Sequence, residues 1–166
     1  MSDRRSNGFR NRHNGRDEGI RDIREGIEDI REGIDDIREG LNNLDDDRVL
    51  GIREICEGIR DIKEGLRDII EGLRDIHFDE NREALRDIRE GIRDIRGGIR
   101  DICEGLNDIR RGNECRGIRR IEEGLRDIEE GLRNIEDGLR DLFNDDEAHD
   151  DDSRPDFWPC FIRDRR

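Results

Sequence analysis

The sequence lacks several residue types that most folded domains use. It contains no Tyr, Thr or Gln, one Trp, one Met and two Pro among 166 residues, and aromatic residues amount to 4%. Hydrophobic residues make up 30% and charged residues 48%, which is close to the composition of disordered chains. An enzyme pocket needs a varied set of apolar and polar side chains. The composition therefore predicts a protein without catalytic activity, cofactor or metal site.

Long hydrophobic runs and a surplus of basic charge are also missing. No stretch approaches the ~20 apolar residues of a transmembrane helix, and the N-terminus has no apolar run of the kind found in secretory signals. The formal net charge is -14, and Asp and Glu are interleaved with the Arg residues, which disfavours nucleic acid as a partner. We expect no transmembrane segment and, by default, a cytoplasmic location, with assembly on a spore or cell surface as the alternative.

What the sequence does contain is a seven-residue repeat that begins at Gly19. Its form is Gly-[Ile/Leu]-x-x-[Ile/Leu]-x-x, so that apolar residues alternate at spacings of three and four. This is the a/d pattern of a coiled-coil-type helix with Gly at the preceding g position, whereas a strand needs a period of two. The apolar pattern restarts at Ile52, Leu85 and Ile118, which gives four units of four repeats each.

The gaps between the four units contain residues that favour helix ends. Asp45–Asp47 can cap a second helix, and Asp79 or Asn81 can cap a third. Gly112 followed by Asn113 is typical of a helix C-terminus and a new N-cap. We therefore expect a helix boundary at each gap.

The pattern predicts an all-α fold, an antiparallel four-helix array that is either an up-down bundle or a stack of helical hairpins. The competing interpretation is one long helix with skips at the gaps, since no proline precedes residue 155. The predicted helices span about residues 17–44, 47–77, 80–111 and 113–143. This helical domain, 19–143, follows a flexible Arg-rich arm at 1–18 and precedes an acidic linker at 144–153 and an aromatic, basic tail at 154–166.

Glycine precedes the first apolar residue in fifteen of the sixteen repeats, and Ala84 takes its place in the remaining one. Each Gly costs a helix ~1 kcal/mol relative to Ala. A face that carries Gly in every repeat therefore indicates that another backbone approaches closely there, the alternative being inherited repetition without a packing role. The positions for which we predict close helix packing are Gly26, Gly33, Gly58, Gly65, Gly91, Gly98, Gly124 and Gly131.

The e positions predict which helices are neighbours. If the first and fourth helices meet antiparallel through e, Arg31 falls opposite Glu136 and Arg38 opposite Glu129. The first and second helices, and likewise the third and fourth, then meet through their glycine faces. We use these ion pairs for register rather than for stability, because exposed ion pairs are weak.

The same arrangement has one flaw, since it places Lys63 opposite Arg96, two like charges, between the second and third helices. A rival arrangement joins the third and fourth helices through e, with Arg96 opposite Glu129. The sequence favours the first arrangement but leaves both open.

The cysteines are the candidates for covalent links: Cys56, Cys103, Cys115 and Cys160. Cys56 falls opposite Cys103 if the second and third helices meet through e. One or two disulfides and free buried thiols are both open from the sequence. A zinc site has little support, because no CxxC or HxxxH spacing exists.

The C-terminal tail is the segment best suited to an interaction, since it contains Phe157, Trp158, Phe161 and Ile162 beside arginines. Three interpretations are open: it packs on its own bundle, it docks into another subunit, or it binds a different partner or a membrane surface. The acidic run before it lacks the ligand spacing and the turn glycine of an EF-hand, and is typical of a solvated linker.

The repeat predicts a structural role. Two apolar residues per repeat form a narrow stripe, since a monomeric bundle usually has three. This stripe, the glycine face and the near-identical units predict self-assembly into a homo-oligomer or a filament. The alternative is a binding or adaptor module whose bundle presents the tail to a protein partner or a membrane surface.

Overall fold

The computed structural model describes the backbone of residues 6–76 and 82–147, and the side chains of residues 17–76 and 82–143. Within these ranges the chain forms four α-helices and no strand: α1 Ser6–Asn43, α2 Arg48–Asp75, α3 Arg82–Arg110 and α4 Glu114–Glu147. None of these helices, over the residues described, combines the length and the apolar character that crossing a membrane requires. The predicted all-α class is confirmed.

The two outer helices are longer than the apolar pattern predicts. α1 begins at Ser6 rather than near residue 17, and α4 continues to Glu147 rather than ending at residue 143. Residues 6–18 are therefore helical instead of forming a flexible arm, and the first residues of the expected linker belong to α4. Extending an existing helix costs much less than starting one. An extension without a packed seam leaves no apolar periodicity by which the sequence could reveal it.

The start of α2 is capped by an aspartate. The Asp47 carboxylate accepts hydrogen bonds from the backbone N–H groups of Val49 and Leu50, both at 3.0 Å. Two of the N–H groups that a helix start leaves without an intrahelical partner are thereby satisfied. The residues expected to cap α3, Asp79 and Asn81, lie outside the described residues.

A glycine ends α3. Gly112 has a φ of 87°, which a residue with a side chain rarely adopts. Its N–H donates to the Ile109 carbonyl at 3.0 Å, and the Asn113 N–H donates to the Asp108 carbonyl at 2.9 Å. This is the Schellman pattern of a helix C-terminus, and it turns the chain directly into α4.

The helices form two antiparallel hairpins, α1–α2 and α3–α4, whose two backbones lie close together along their packed length. Contacts between the hairpins are far fewer, and they join α1 to α4 and α2 to α3. The predicted antiparallel array is thus confirmed as two stacked helical hairpins. The interpretation as one long helix is wrong, because capped turns separate the helices.

Each helix faces its hairpin partner with its g glycines and its d residues. The d residues Ile30, Ile62, Ile95 and Ile128 have no exposed surface. The buried a residues keep 4–7% of their surface, and they lie on the side of the helix that turns towards the other hairpin. Burial of one large aliphatic side chain stabilises a fold by ~2 kcal/mol, and every d residue in the described helices is buried.

Within one chain all d residues of the apolar stripe are buried, and the a residues are buried or partly buried. Glycine contributes its backbone to the contact, so that each repeat presents three contact positions, g, a and d, which is the usual width. Among the described residues, Val49 is the one large hydrophobic residue with an exposed side chain, at 70%. The fold therefore needs no second copy to cover its d residues.

Candidate interaction site: the groove between α2 and α3

The register of both hairpins is set by contacts between small residues, which we call the glycine seams. A Cβ added to any glycine in these contacts would lie less than 3.0 Å from a heavy atom of the partner helix, in most cases the carbonyl oxygen of the facing glycine. The helix axes are therefore closer together than a pair of alanines would allow. The facing pairs are Gly19–Gly72, Gly26–Gly65, Gly33–Gly58, Gly40–Gly51, Ala84–Gly138, Gly91–Gly131, Gly98–Gly124 and Gly105–Gly117.

Between the hairpins, the side formed by α1 and α4 is closed by ion pairs. Arg31 Nη2 lies 2.6 Å from Glu136 Oε1, and Arg38 Nη2 lies 2.5 Å from Glu129 Oε1. Both pairs are those that the antiparallel order predicts. The rival arrangement, with Arg96 opposite Glu129, is wrong because α3 and α4 meet through the glycine seam and both glutamates face α1.

The opposite side, formed by α2 and α3, contains an open groove of about 420 Å³. Its floor is apolar and includes Leu66 of α2 and Ile99 of α3, which are a-position residues, with Ile70 beside them. Ile70 occupies an e position, where α1 carries arginine. The apolar stripe of α2 is therefore wider at this point than elsewhere, and the extra width lines the groove.

The rim of this α2–α3 groove is basic. It consists of Lys63, Arg67 and Arg74 from α2 and Arg96 from α3, with Glu71 as the acid among the lining residues. None of the four cations forms a salt bridge with a residue in the described part of the chain. The four cations and one acid that line the groove have a combined formal charge of +3, whereas the whole chain has a net charge of -14. This is a concentrated positive patch on an acidic molecule.

A second electrostatic feature lies on the outer edges of the hairpins, at the c positions that directly precede d. Carboxylates from the two helices face each other there across the glycine seam, and Asp36 opposite Asp61 is one such pair. Partial burial and neighbouring carboxylates raise the pKa of Asp29, Asp36, Asp68 and Asp127 above the ordinary value of 3.8. These pairs repel at neutral pH, and the close helix approach prevents them from separating.

Two other c-position pairs contain an amide in place of one carboxylate. Asn43 Nδ2 donates to Glu54 Oε2 at 2.8 Å, and Asn134 Nδ2 donates to Asp94 Oδ2 at 3.4 Å. An amide thus converts the same contact from a repulsion into a hydrogen bond. These two positions show what Asn would do at an aspartate pair.

We expect the protein to become more stable on mild acidification. The pKa of Asp36 and of the other three aspartates is higher in the folded chain than in the unfolded chain, so the folded state binds more protons as the pH falls from neutral towards 3.8. The free energy of unfolding therefore rises over this range. Thermal unfolding followed by circular dichroism should give a higher Tm at about pH 5 than at pH 7, at constant ionic strength.

Asparagine variants test the cause of this pH dependence. Asp36→Asn should raise Tm at neutral pH and reduce the gain on acidification, because the amide can donate to Asp61. Asp46→Asn, in the exposed turn before α2, serves as the control and should leave the profile unchanged. A Tm that falls between neutral pH and pH ~5, or an Asp36→Asn profile equal to that of the control, would contradict the repulsion.

The described cysteines are not bonded to one another, so the expected pairing of Cys56 with Cys103 is not formed. Cys56 is half-buried, and Cys103 and Cys115 are exposed. The remaining residues that the sequence singles out lie outside the described residues, so a disulfide through Cys160 and a role for the tail stay predictions: Phe157, Trp158, Cys160, Phe161 and Ile162.

The groove was not predicted as a site, although two of its residues gave a signal. Lys63 opposite Arg96 looks in the sequence like a flaw in the helix order. In the structure both side chains line an open space between helices that are less tightly joined than the two halves of a hairpin. An unfavourable e–e pair in a bundle can therefore indicate an opening rather than a wrong arrangement.

Over the described ranges, no group of three or more His, Cys, Asp or Glu side chains is placed to hold a metal ion. Comparison of the chain with protein-family models, with curated protein sequences and with solved structures finds no match. The groove and its charge are therefore the observations from which a function can be argued.

Proposed function

We propose that the chain is a structural, self-assembling helical protein of the coiled-coil type, whose copies associate into a homo-oligomer or a filament. The observation that carries the proposal is the asymmetry between the two sides of the hairpin stack. Ion pairs join α1 to α4, whereas on the α2–α3 side the Arg48 side chain donates to the Ile109 carbonyl and an open groove keeps a basic rim without salt bridges to described residues. The proposal assigns no catalytic step and no cofactor to the chain.

The d residues supply no surface for association, because the chain buries them, and the a residues are buried or partly buried. Assembly must therefore use a polar or mixed surface. Assembly through charged groups weakens as the salt concentration rises, because salt screens exposed charges. We expect self-association that is strongest at low ionic strength.

Light scattering coupled to size-exclusion chromatography tests the proposal. The pure protein should show a molar mass that rises with concentration and exceeds the 19.6 kDa of one chain at micromolar concentration in low salt. Negative-stain electron microscopy of the same sample distinguishes a closed oligomer from a filament. A monomer at all concentrations and salt conditions would rule out the proposed role.

A binding or adaptor module is the second candidate. α4 extends nine residues beyond Gly138, which faces Ala84 at the last small-residue contact with α3, and the chain continues from there into the aromatic tail. The bundle would in this case serve as a spacer that presents the tail to a protein partner or a membrane surface. Binding of anionic vesicles or of a captured partner that Trp158→Ala abolishes, by a chain that stays monomeric, would favour this candidate.

A further inference from the structure

We propose that the α2–α3 groove is the docking site for the acidic run and the aromatic tail, residues 145–161, of a second copy of the chain. This inference rests on the proposed self-assembly and names the surfaces that carry it. The cations of the rim would pair with the acidic run, and the apolar floor would receive aromatic side chains from the tail.

Charge is the first argument for this occupant. The run from Asp145 to Asp152 contains six carboxylates within eight residues and no Lys or Arg. The groove offers four cations, none of them in a salt bridge with a described residue.

Reach is the second argument, because the acidic run cannot contact the α3 side of the groove in its own chain. Glu147 lies nine residues, or ~13 Å along the helix axis, past the contact of Gly138 with Ala84. The groove residues Arg96 and Ile99 lie 12 and 15 residues on the other side of Ala84, a further ~18 Å or more. The five residues from Glu147 to Asp152 span at most ~18 Å when extended. A second copy can place its acidic run there without this restriction.

The apolar floor is the third argument. Ile70 is only partly buried, and it lines the groove beside Leu66 and Ile99, which keep 5% and 7% of their surface. The sequence that follows the acidic run brings Phe157, Trp158 and Phe161 within a few residues of one another. Aromatic side chains bury the most apolar area per residue and are enriched at protein interfaces. A segment that is acidic first and aromatic next therefore matches both parts of the groove.

A charge-exchange experiment on the full chain tests the proposal. The first variant reverses the rim with Arg67→Glu and Arg96→Glu, and the second reverses the run with Asp150→Arg, Asp151→Arg and Asp152→Arg. Each variant alone should lose self-association, with a dissociation constant weakened roughly tenfold or more. A mixture of the two should pair again, because the unchanged run of the first variant meets the unchanged groove of the second, and the negative groove of the first meets the positive run of the second.

The control variant carries Arg53→Glu and Arg126→Glu, two exposed arginines that do not line the groove, and should associate like the wild type. Helical content by circular dichroism confirms that each variant is folded. Trp158 is the only tryptophan, so its emission reports docking directly: a blue shift that grows with concentration is expected.

Each remaining outcome overturns a defined part of the account. Self-association that survives both reversals refutes the groove as the docking site and leaves self-assembly standing. Reversed variants that lose association but do not pair when mixed refute the acidic run as the occupant. A blue shift that is independent of concentration shows the tail in its own groove, and a wild-type monomer refutes the docking and the proposed function together.

Discussion

Gly98→Ala will destabilise the protein, whereas Gly97→Ala, one residue earlier in the same helix, will stabilise it. A Cβ on Gly98 would lie 2.6 Å from Ile128 Cγ1 and also against the Gly124 carbonyl oxygen, so the two backbones must move apart. Overpacking of this kind costs about 1–3 kcal/mol, and here it exceeds the ~1 kcal/mol that alanine adds to a helix. The contact involves backbone atoms, which cannot rotate away.

Gly97 is the matched control. The nearest atom to a Cβ at that position is Arg100 Nη2 at 3.8 Å, at the end of a flexible side chain. Gly97→Ala therefore gains the helix propensity of alanine, ~1 kcal/mol, without a clash. Urea unfolding followed by circular dichroism measures both free energies, and two variants that shift in the same direction would contradict the close approach at the seam.

Ile95→Ala will cost about 2–5 kcal/mol of the free energy of unfolding, and Ile92→Ala will cost much less. Ile95 occupies a d position with no exposed surface and packs against Gly131 across the seam. Ile92 occupies the a position of the same repeat and is only partly buried. Truncation at Ile95 leaves a cavity between two backbones that the glycine contacts on either side keep from closing.

The two variants remove the same atoms from the same helix, so their difference measures the packing environment alone. We expect Ile95→Ala to lower Tm by at least about twice as much as Ile92→Ala, because the loss follows the apolar area buried. Equal losses, or a larger loss at Ile92, would mean that the main core lies between the hairpins and not within them.

Much of the fold could be predicted from the sequence. The spacing of three and four between isoleucines gives the helices, Asp47 and Gly112 give two of the turns, and the charges of Arg31, Arg38 and their glutamates give the order of neighbours. These features are local or periodic, so each residue type has one structural consequence that does not depend on the rest of the chain. The glycine repeat adds the face through which each hairpin closes.

The groove and the aspartate pairs could not be predicted from the sequence. A carboxylate at most c positions looks like a solvated face, and the pKa of Asp29, Asp36, Asp68 and Asp127 rises because the glycine seam brings the partner helix close. The groove depends on how far α2 lies from α3, which no pattern within one helix encodes. Likewise, the narrow apolar stripe suggested that other copies were needed until the structure showed glycine backbone completing the contact surface.

The contact between a glycine and the isoleucine of the facing helix tests the central claim of this account most directly. Nuclear Overhauser spectroscopy should show cross-peaks between the α protons of Gly98 and the γ-methylene protons of Ile128, whose carbon lies 2.6 Å from the Cβ position of that glycine. The same contact should join Gly33 to Ile62 in the other hairpin. Absence of both cross-peaks, or cross-peaks from Gly98 to isoleucines of α1 or α2, would contradict two hairpins whose helices pack through their glycines.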